Sequence, residues 1–184
     1  MIGFVLYKNP RDLLNRICAT LILCFAIWSF GFIIFHNVDT SKDTAKLAMN
    51  IASIGWGSFA SFILWFALVF DKKEKILKKK IIYPLIFFPG VLFIYKQWSG
   101  FVIADLIKQS YGWSYIWSDS IWSYLFYAYY FLFVVFSLYL YFNLGRKTRL
   151  KREKKQARII SITTLIALIL GSISNVLLQE LNIH

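Results

Sequence analysis

An all-α bundle of membrane-spanning helices is the fold this sequence predicts, and three observations predict it. First, 59% of the 184 residues are hydrophobic, 20% are aromatic and 16% are charged. A soluble domain runs nearer to about 45–50% apolar and about 25% charged. A bilayer hides the surplus where a core of this size does not. Second, the cations are gathered rather than scattered. Lys and Arg outnumber Asp and Glu by 21 to 9, and residues 144–158, LGRKTRLKREKKQAR, hold eight cations against one acid, Glu153. Third, this block lies between apolar runs, as a short loop does on the side of a membrane where Lys and Arg accumulate. Nucleic-acid binding, the other use of such a charge run, does not suit the lipid-like flanks.

The elements follow in order. Residues 1–7 are an apolar stub, stopped at Lys8-Asn9-Pro10-Arg11 by an Asn-Pro boundary. The first helix is expected at 13–35, whose 23 residues reach about 35 Å, with Arg16 snorkelling to the headgroups. A polar loop from His36 leads to a second helix at 45–70, with Ser41 or Asp43 as N-cap. Asn50, Ser53, Gly57 and Ala60 give it a small, polar face of the kind that packs helix against helix; a ligand-lining role is the alternative.

Residues 71–80, DKKEKILKKK, form a second basic loop. The third helix, 81–95, is short and carries Pro84 and Pro89, which predict a kink. Residues 96–118 are too mixed to span and suit a small hairpin or an interfacial segment. A fourth helix is expected at 119–142, capped by Ser118 or Asp119. Aromatic residues from Tyr111 to Tyr130 crowd its start, either as an interfacial belt or as a recognition surface. A fifth helix is expected at 159–178, where Ser161, Thr164, Gly171 and Asn175 make another packing face, with Asn175 and Gln179 as buried-polar candidates.

Loop charge orients these spans. The Lys/Arg counts are three at the N-terminus, two at 36–46, six at 71–80, two at 96–118, eight at 144–158 and none after 178. The alternation puts 17 cations on one side and four on the other. The determinants are Lys72, Lys73, Lys75, Lys78, Lys79 and Lys80, and then Arg146, Lys147, Arg149, Lys151, Arg152, Lys154, Lys155 and Arg158. Five crossings result, from a cytoplasmic N-terminus to an external C-terminus of a multi-pass cell-membrane protein. Residues 1–184 are expected to form one membrane-embedded domain, and both ends read as cut from a larger bundle.

Catalytic motifs are not found. His36 and His184 lie at loop ends without Cys or carboxylate at ligand spacing, and Cys18 and Cys24 both fall inside the first apolar run. HExxH, GxSxG, a phosphate-binding Gly loop and CxxC are all missing, so neither a metal nor another cofactor is expected. His36 reads as an interfacial loop residue. The apolar runs carry no acid at mid-span, which argues against an ion-coupled pump.

Asn9-Pro10 and Asn15-Arg16 ahead of a helix bearing Trp28, the Tyr111-Gly112-Trp113 stretch before an aromatic helix, and the Lys154-Lys155-Gln156-Ala157-Arg158 junction form a pattern. In these the chain resembles the N-terminal seven-transmembrane region of bacterial sensor histidine kinases. The resemblance implies a sensory input domain for two-component signal transduction. In that family one helix precedes the Asn-Pro boundary and a seventh leads to a cytoplasmic kinase. The chain is therefore expected to be that bundle without its two end helices, and not itself an enzyme. Candidate ligand contacts are Trp113, Trp117, Tyr124, Asn50 and Asn175. The expected partners are the lipid bilayer and an extracellular or membrane-borne ligand, with a second copy of the chain as a candidate, and no nucleic acid. A small multi-pass permease component and a membrane assembly protein are the rival readings.

Overall fold

The computed structural model describes residue 9, residues 11–110 and residues 112–172, with the side chains at 167, 168 and 170–172 left out. Tyr111, Asn175, Gln179, His184, the stub at 1–7 and the end of the last expected helix lie outside the described residues. Helix α1 is Leu13–Phe35, α2 is Lys42–Phe70, α3 is the single turn Glu74–Leu77 and α4 is Ile82–Trp98. Strands β1, Ile103–Gln109, and β2, Gly112–Trp117, follow, then α5, Ile121–Lys147, and α6, Lys151–Ser172. The chain divides into two compact units, Met1–Phe133 and Val134–His184.

Helix α1 starts where Asp12 accepts the Leu14 N–H at 3.0 Å, satisfying one of the orphan donors of the first turn. Ile17, Cys24 and Gly31 recur every seven residues on its buried face. A Cβ at Gly31 would lie 2.6 Å from the Ala48 carbonyl oxygen, and one at Gly55 would meet the Cys24 carbonyl oxygen and lie 2.8 Å from the Trp28 nitrogen. The α1 and α2 backbones therefore touch, as small residues permit in membrane bundles.

Helix α2 begins at Lys42, with Ser41 as the N-cap accepting the Thr44 N–H. Its end is a Schellman motif: Lys73 N–H donates to the Leu68 carbonyl at 3.0 Å, and Lys72 N–H to that of Val69 at 3.1 Å. Lys72 takes the left-handed position at φ 54° that glycine usually fills. The face read from sequence is a packing face. Ser53, Gly57 and Ala60 are all buried, and Gly57 faces Ile94 of α4.

Helix α4 starts one residue later than expected and runs three residues further. Pro84 falls in its first turn, where its missing N–H has no intrahelical partner to lose, and the helix continues through Pro89. The 96–118 segment resolves into the end of α4 and an antiparallel hairpin, Ile103 pairing with Trp117 and Gln109 with Gly112. Helix α5 begins at Ile121 rather than 119. The residue before it is Ser120, whose hydroxyl donates to the Phe101 carbonyl and ties the start of the helix to the segment ahead of β1.

In the second unit the expected loop 144–158 is mostly helix. Helix α5 runs to Lys147, α6 starts at Lys151 rather than 159, and only residues 148–150 separate them. The physical reason is propensity: Lys, Arg, Glu, Gln and Ala are all strong helix formers, so a charge block marks a membrane boundary without breaking a helix.

Candidate functional site

At one end of the first unit the hairpin covers the loop between α1 and α2. Phe35, Ala45, Ala48 and Met49 of α1 and α2 form a buried plug with Ile103, Leu106 and Trp113 of the hairpin. Pairing puts Leu106 and Trp113 on one face, and the bulge between Ile103 and Asp105 brings Ile103 to the same face. The hairpin turn fits closely, for a Cβ at Gly112, where φ is +125°, would strike the His36 backbone. The His36 ring packs edge-on to Phe32 and Phe35, and burial lowers its pKa from the ordinary 6.5.

Four polar contacts fasten this cover. Trp113 Nε1 donates to the Thr40 carbonyl at 2.9 Å. The Lys108 ammonium donates to the Val38 and Thr40 carbonyls and lies 4.8 Å from the Trp113 ring centre. Lys42 pairs with Asp105 at 2.8 Å. That pairing, with the Leu106 N–H, holds the Asp105 carboxyl below its usual range.

Behind the hairpin lies a second polar group. Asn50 Oδ1 accepts from Gln97 Nε2 at 3.3 Å, and the Gln97 Oε1 accepts the Ile103 N–H at 3.2 Å. The Asn50 carbonyl accepts from Trp98 Nε1 at 3.0 Å and from the Ser53 hydroxyl at 2.6 Å. Gln97 is buried, and buried amides are kept only with partners. It therefore ties α2, α4 and the first residue of β1 together. Val102, just before β1, accepts from the Ser123 hydroxyl of α5 at 3.0 Å.

A third group lies deeper. The Ser61 hydroxyl donates to the Ile86 carbonyl at 2.6 Å and meets the Tyr129 hydroxyl at 2.8 Å; Tyr129 donates in turn to the Gly57 carbonyl at 3.0 Å. The aromatic core of Trp56, Phe93, Phe126 and Tyr129 surrounds it.

The residues singled out from sequence distribute unevenly. Trp113 is buried in the plug, and Trp117 bridges from the hairpin to Phe126 and Tyr127 of α5. Asn50 follows Met49 of the same plug. Tyr124 is 64% exposed on α5 and stands apart from these. Sequence reasoning missed Gln97, Thr40 and Ser61, and took Tyr129 only as one of the crowded aromatics and Lys108 only as a loop charge. A polar residue between Tyr95 and Trp98, and a serine four residues after Gly57, were the signals available.

The family model described as the N-terminal 7TM region of histidine kinase matches residues 1–183. The chain belongs to that family. No curated protein and no solved structure matches it. As a histidine-kinase 7TM region it is a membrane protein, and its described residues include three helices long and apolar enough to cross a bilayer, α1, α2 and α5. Among the described residues no cluster of His, Cys, Asp or Glu could hold a metal. At the hairpin end, buried aromatic side chains and the Asn50–Gln97 amide pair lie beneath the polar contacts of Trp113, Lys108 and Asp105.

Proposed function

We propose that this chain is a sensory input domain in which the β1–β2 hairpin is the element that a cue moves. A ligand or membrane cue acts at the hairpin end and favours one of two packings of the bundle, which the helices carry to the other side. The observation that carries this reading is the way the hairpin is held. An apolar plug containing Trp113 is closed by hydrogen bonds to the Thr40 and Val38 carbonyls and by one exposed ion pair. The neutral hydrogen bond and the exposed ion pair contribute about 1 kcal/mol each or less, the Lys108 bonds and the apolar plug add to them, and a cue shifts the balance only by its difference in affinity for the two packings.

The orientation that goes with it is five crossings, with the N-terminus cytoplasmic and the hairpin outside. The basic segments at 71–80 and 146–158 then share the inner side. In an intact receptor carrying this region, Trp113→Ala and Trp117→Ala are expected to change the signalling output, and unchanged output from both removes the hairpin from the mechanism. Cysteines at Lys75 and Arg152 are expected to label from the same compartment. Labelling from opposite compartments sinks the orientation.

A further inference from the structure

The second unit carries a feature that cue sensing does not use. Helix α6 turns about 100° per residue, which puts Lys151, Arg152, Lys154, Lys155 and Arg158 within an arc of about 160° over its first two turns. All five are exposed. The same arc continues along the helix as Ile159, Ile162, Leu165, Ile166 and Ile169, also exposed. Outside this arc the helix is different: Ala157 and Ser161 are buried, and Ala157 lies against Gly145 of α5. One side of α6 is therefore packed, and the other is a strip that changes from cationic to aliphatic along the helix axis.

Arg146, Lys147 and Arg149 add three exposed cations just before the helix. The one acid in the stretch, Glu153, accepts the Thr148 hydroxyl at 2.7 Å. A single carboxylate leaves most of the charge of eight cations uncompensated. On a crossing helix the aliphatic part is the side turned to acyl chains, and the cations next to it on the same side lie at headgroup level. A phospholipid satisfies both halves, its phosphate on the guanidinium and ammonium groups and its acyl chains along the isoleucines.

We infer that this strip of α6 is a binding surface for anionic phospholipid, with Lys151, Arg152, Lys155 and Arg158 as the phosphate contacts. The inference does not depend on which cue the hairpin end responds to.

The test counts lipids bound to the full chain by native mass spectrometry. Detergent micelles are titrated with phosphatidylglycerol or with phosphatidylcholine of the same acyl chains. The expected result is a preference for phosphatidylglycerol of at least about tenfold, the low end of what four partly screened cations supply. The quadruple variant K151Q/R152Q/K155Q/R158Q is expected to bring that preference close to unity. The equally charged control K75Q/K78Q/K79Q/K80Q is expected to keep most of it. If the α6 variant loses its helical circular dichroism, wild-type protein decides the matter. Raising salt from about 0.01 M to about 0.15 M shortens the screening length from about 30 Å to about 8 Å and should lower the preference severalfold. No preference in the wild type, a salt-independent one, or equal loss in both quadruple variants overturns the proposal. So does displacement of the lipid by an equal concentration of inorganic phosphate, which marks a free-anion site instead.

Discussion

Trp113 is where the fastening of the hairpin can be measured. Its ring is 8% exposed inside the plug, its Nε1 donates to the Thr40 carbonyl at 2.9 Å and Lys108 stands over its face. Trp113→Ala removes a large buried ring next to Phe35, Met49 and Leu106, a change that costs about 3–5 kcal/mol. Trp113→Phe keeps an aromatic surface for the plug and for Lys108 and loses chiefly the Thr40 bond, about 0.5–1.5 kcal/mol. Hydrogen exchange of the purified chain, read by mass spectrometry, reports these costs as changes in the opening equilibrium. At tenfold per 1.4 kcal/mol, amides of β1, β2 and residues 37–41 should exchange at least about 100-fold faster in Trp113→Ala and about two- to twelvefold faster in Trp113→Phe. Amides in the middle of α2 should keep their protection in both. Unchanged hairpin exchange in Trp113→Ala refutes the latch, and an equal rise in α2 shows that the residue supports the whole bundle instead.

The remaining predictions concern packing and pH. A Cβ at Gly90 would lie 3.0–3.2 Å from Ser61 Oγ, the Gly57 carbonyl and the Tyr129 hydroxyl, so Gly90→Ala should destabilise by about 1–3 kcal/mol and lower the midpoint of thermal unfolding. Gly145→Ala meets only the Ala157 methyl at 3.7 Å and should raise that midpoint, since alanine is favoured in a helix by about 0.5–1 kcal/mol. Tyr129→Phe, which removes the hydroxyl between Ser61 and Gly57, should cost about 1 kcal/mol in the same melt. Acidification should loosen the hairpin, because both shifted groups beside it have lowered folded pKa values. Burial lowers that of His36, so its stabilisation is complete above the unfolded value of 6.5 and falls away as pH drops below it. Asp105, held low by Lys42 and the Leu106 N–H, keeps its contribution above 3.8 and gives it up at lower pH. Hairpin exchange that slows on acidification, after correction for intrinsic rates, contradicts both signs.

The legible parts of this chain are those where composition acts over many residues. Helix α1 falls on the 13–35 run without adjustment, because an apolar stretch of that length has only one way to satisfy its backbone in lipid. The small face of α2 was readable for the same kind of reason, since glycine and serine at helical spacing let a neighbouring backbone come close. Basic residues were readable as a membrane boundary but not as secondary structure, which is why α6 begins inside the stretch taken for a loop. Tertiary partners left little trace. Gln97 looked like one polar residue in a mixed segment. Its importance comes from lying within reach of Asn50, 47 residues earlier, and Ile103, six residues later. Trp113 showed the opposite: its type drew notice, but whether the ring faces solvent or Phe35 depends on hairpin register, which the turn and the buried face set rather than the residue's own type.

On the proposed reading, α2 is the helix that a hairpin movement reaches first. Its first turns supply Ala45, Ala48 and Met49 to the plug, Asn50 to Gln97, and farther along Gly57 and Ser61 to Tyr129. Lifting the hairpin withdraws the Ile103 N–H from Gln97 and leaves a buried amide oxygen without its donor, a cost of about 1–3 kcal/mol. Rotation of Gln97 to recover a partner must disturb its bond to Asn50 as well, because one amide group serves both contacts. The end of α4 is then no longer pinned to α2 there, while Ser61 still holds the Ile86 carbonyl near its start. Between these two points lie Pro89, which has no N–H to donate, and Gly90, which accepts bending readily. The stretch of α4 that holds Pro89 and Gly90 thus lies between the Ser61 contact and the Gln97 contact.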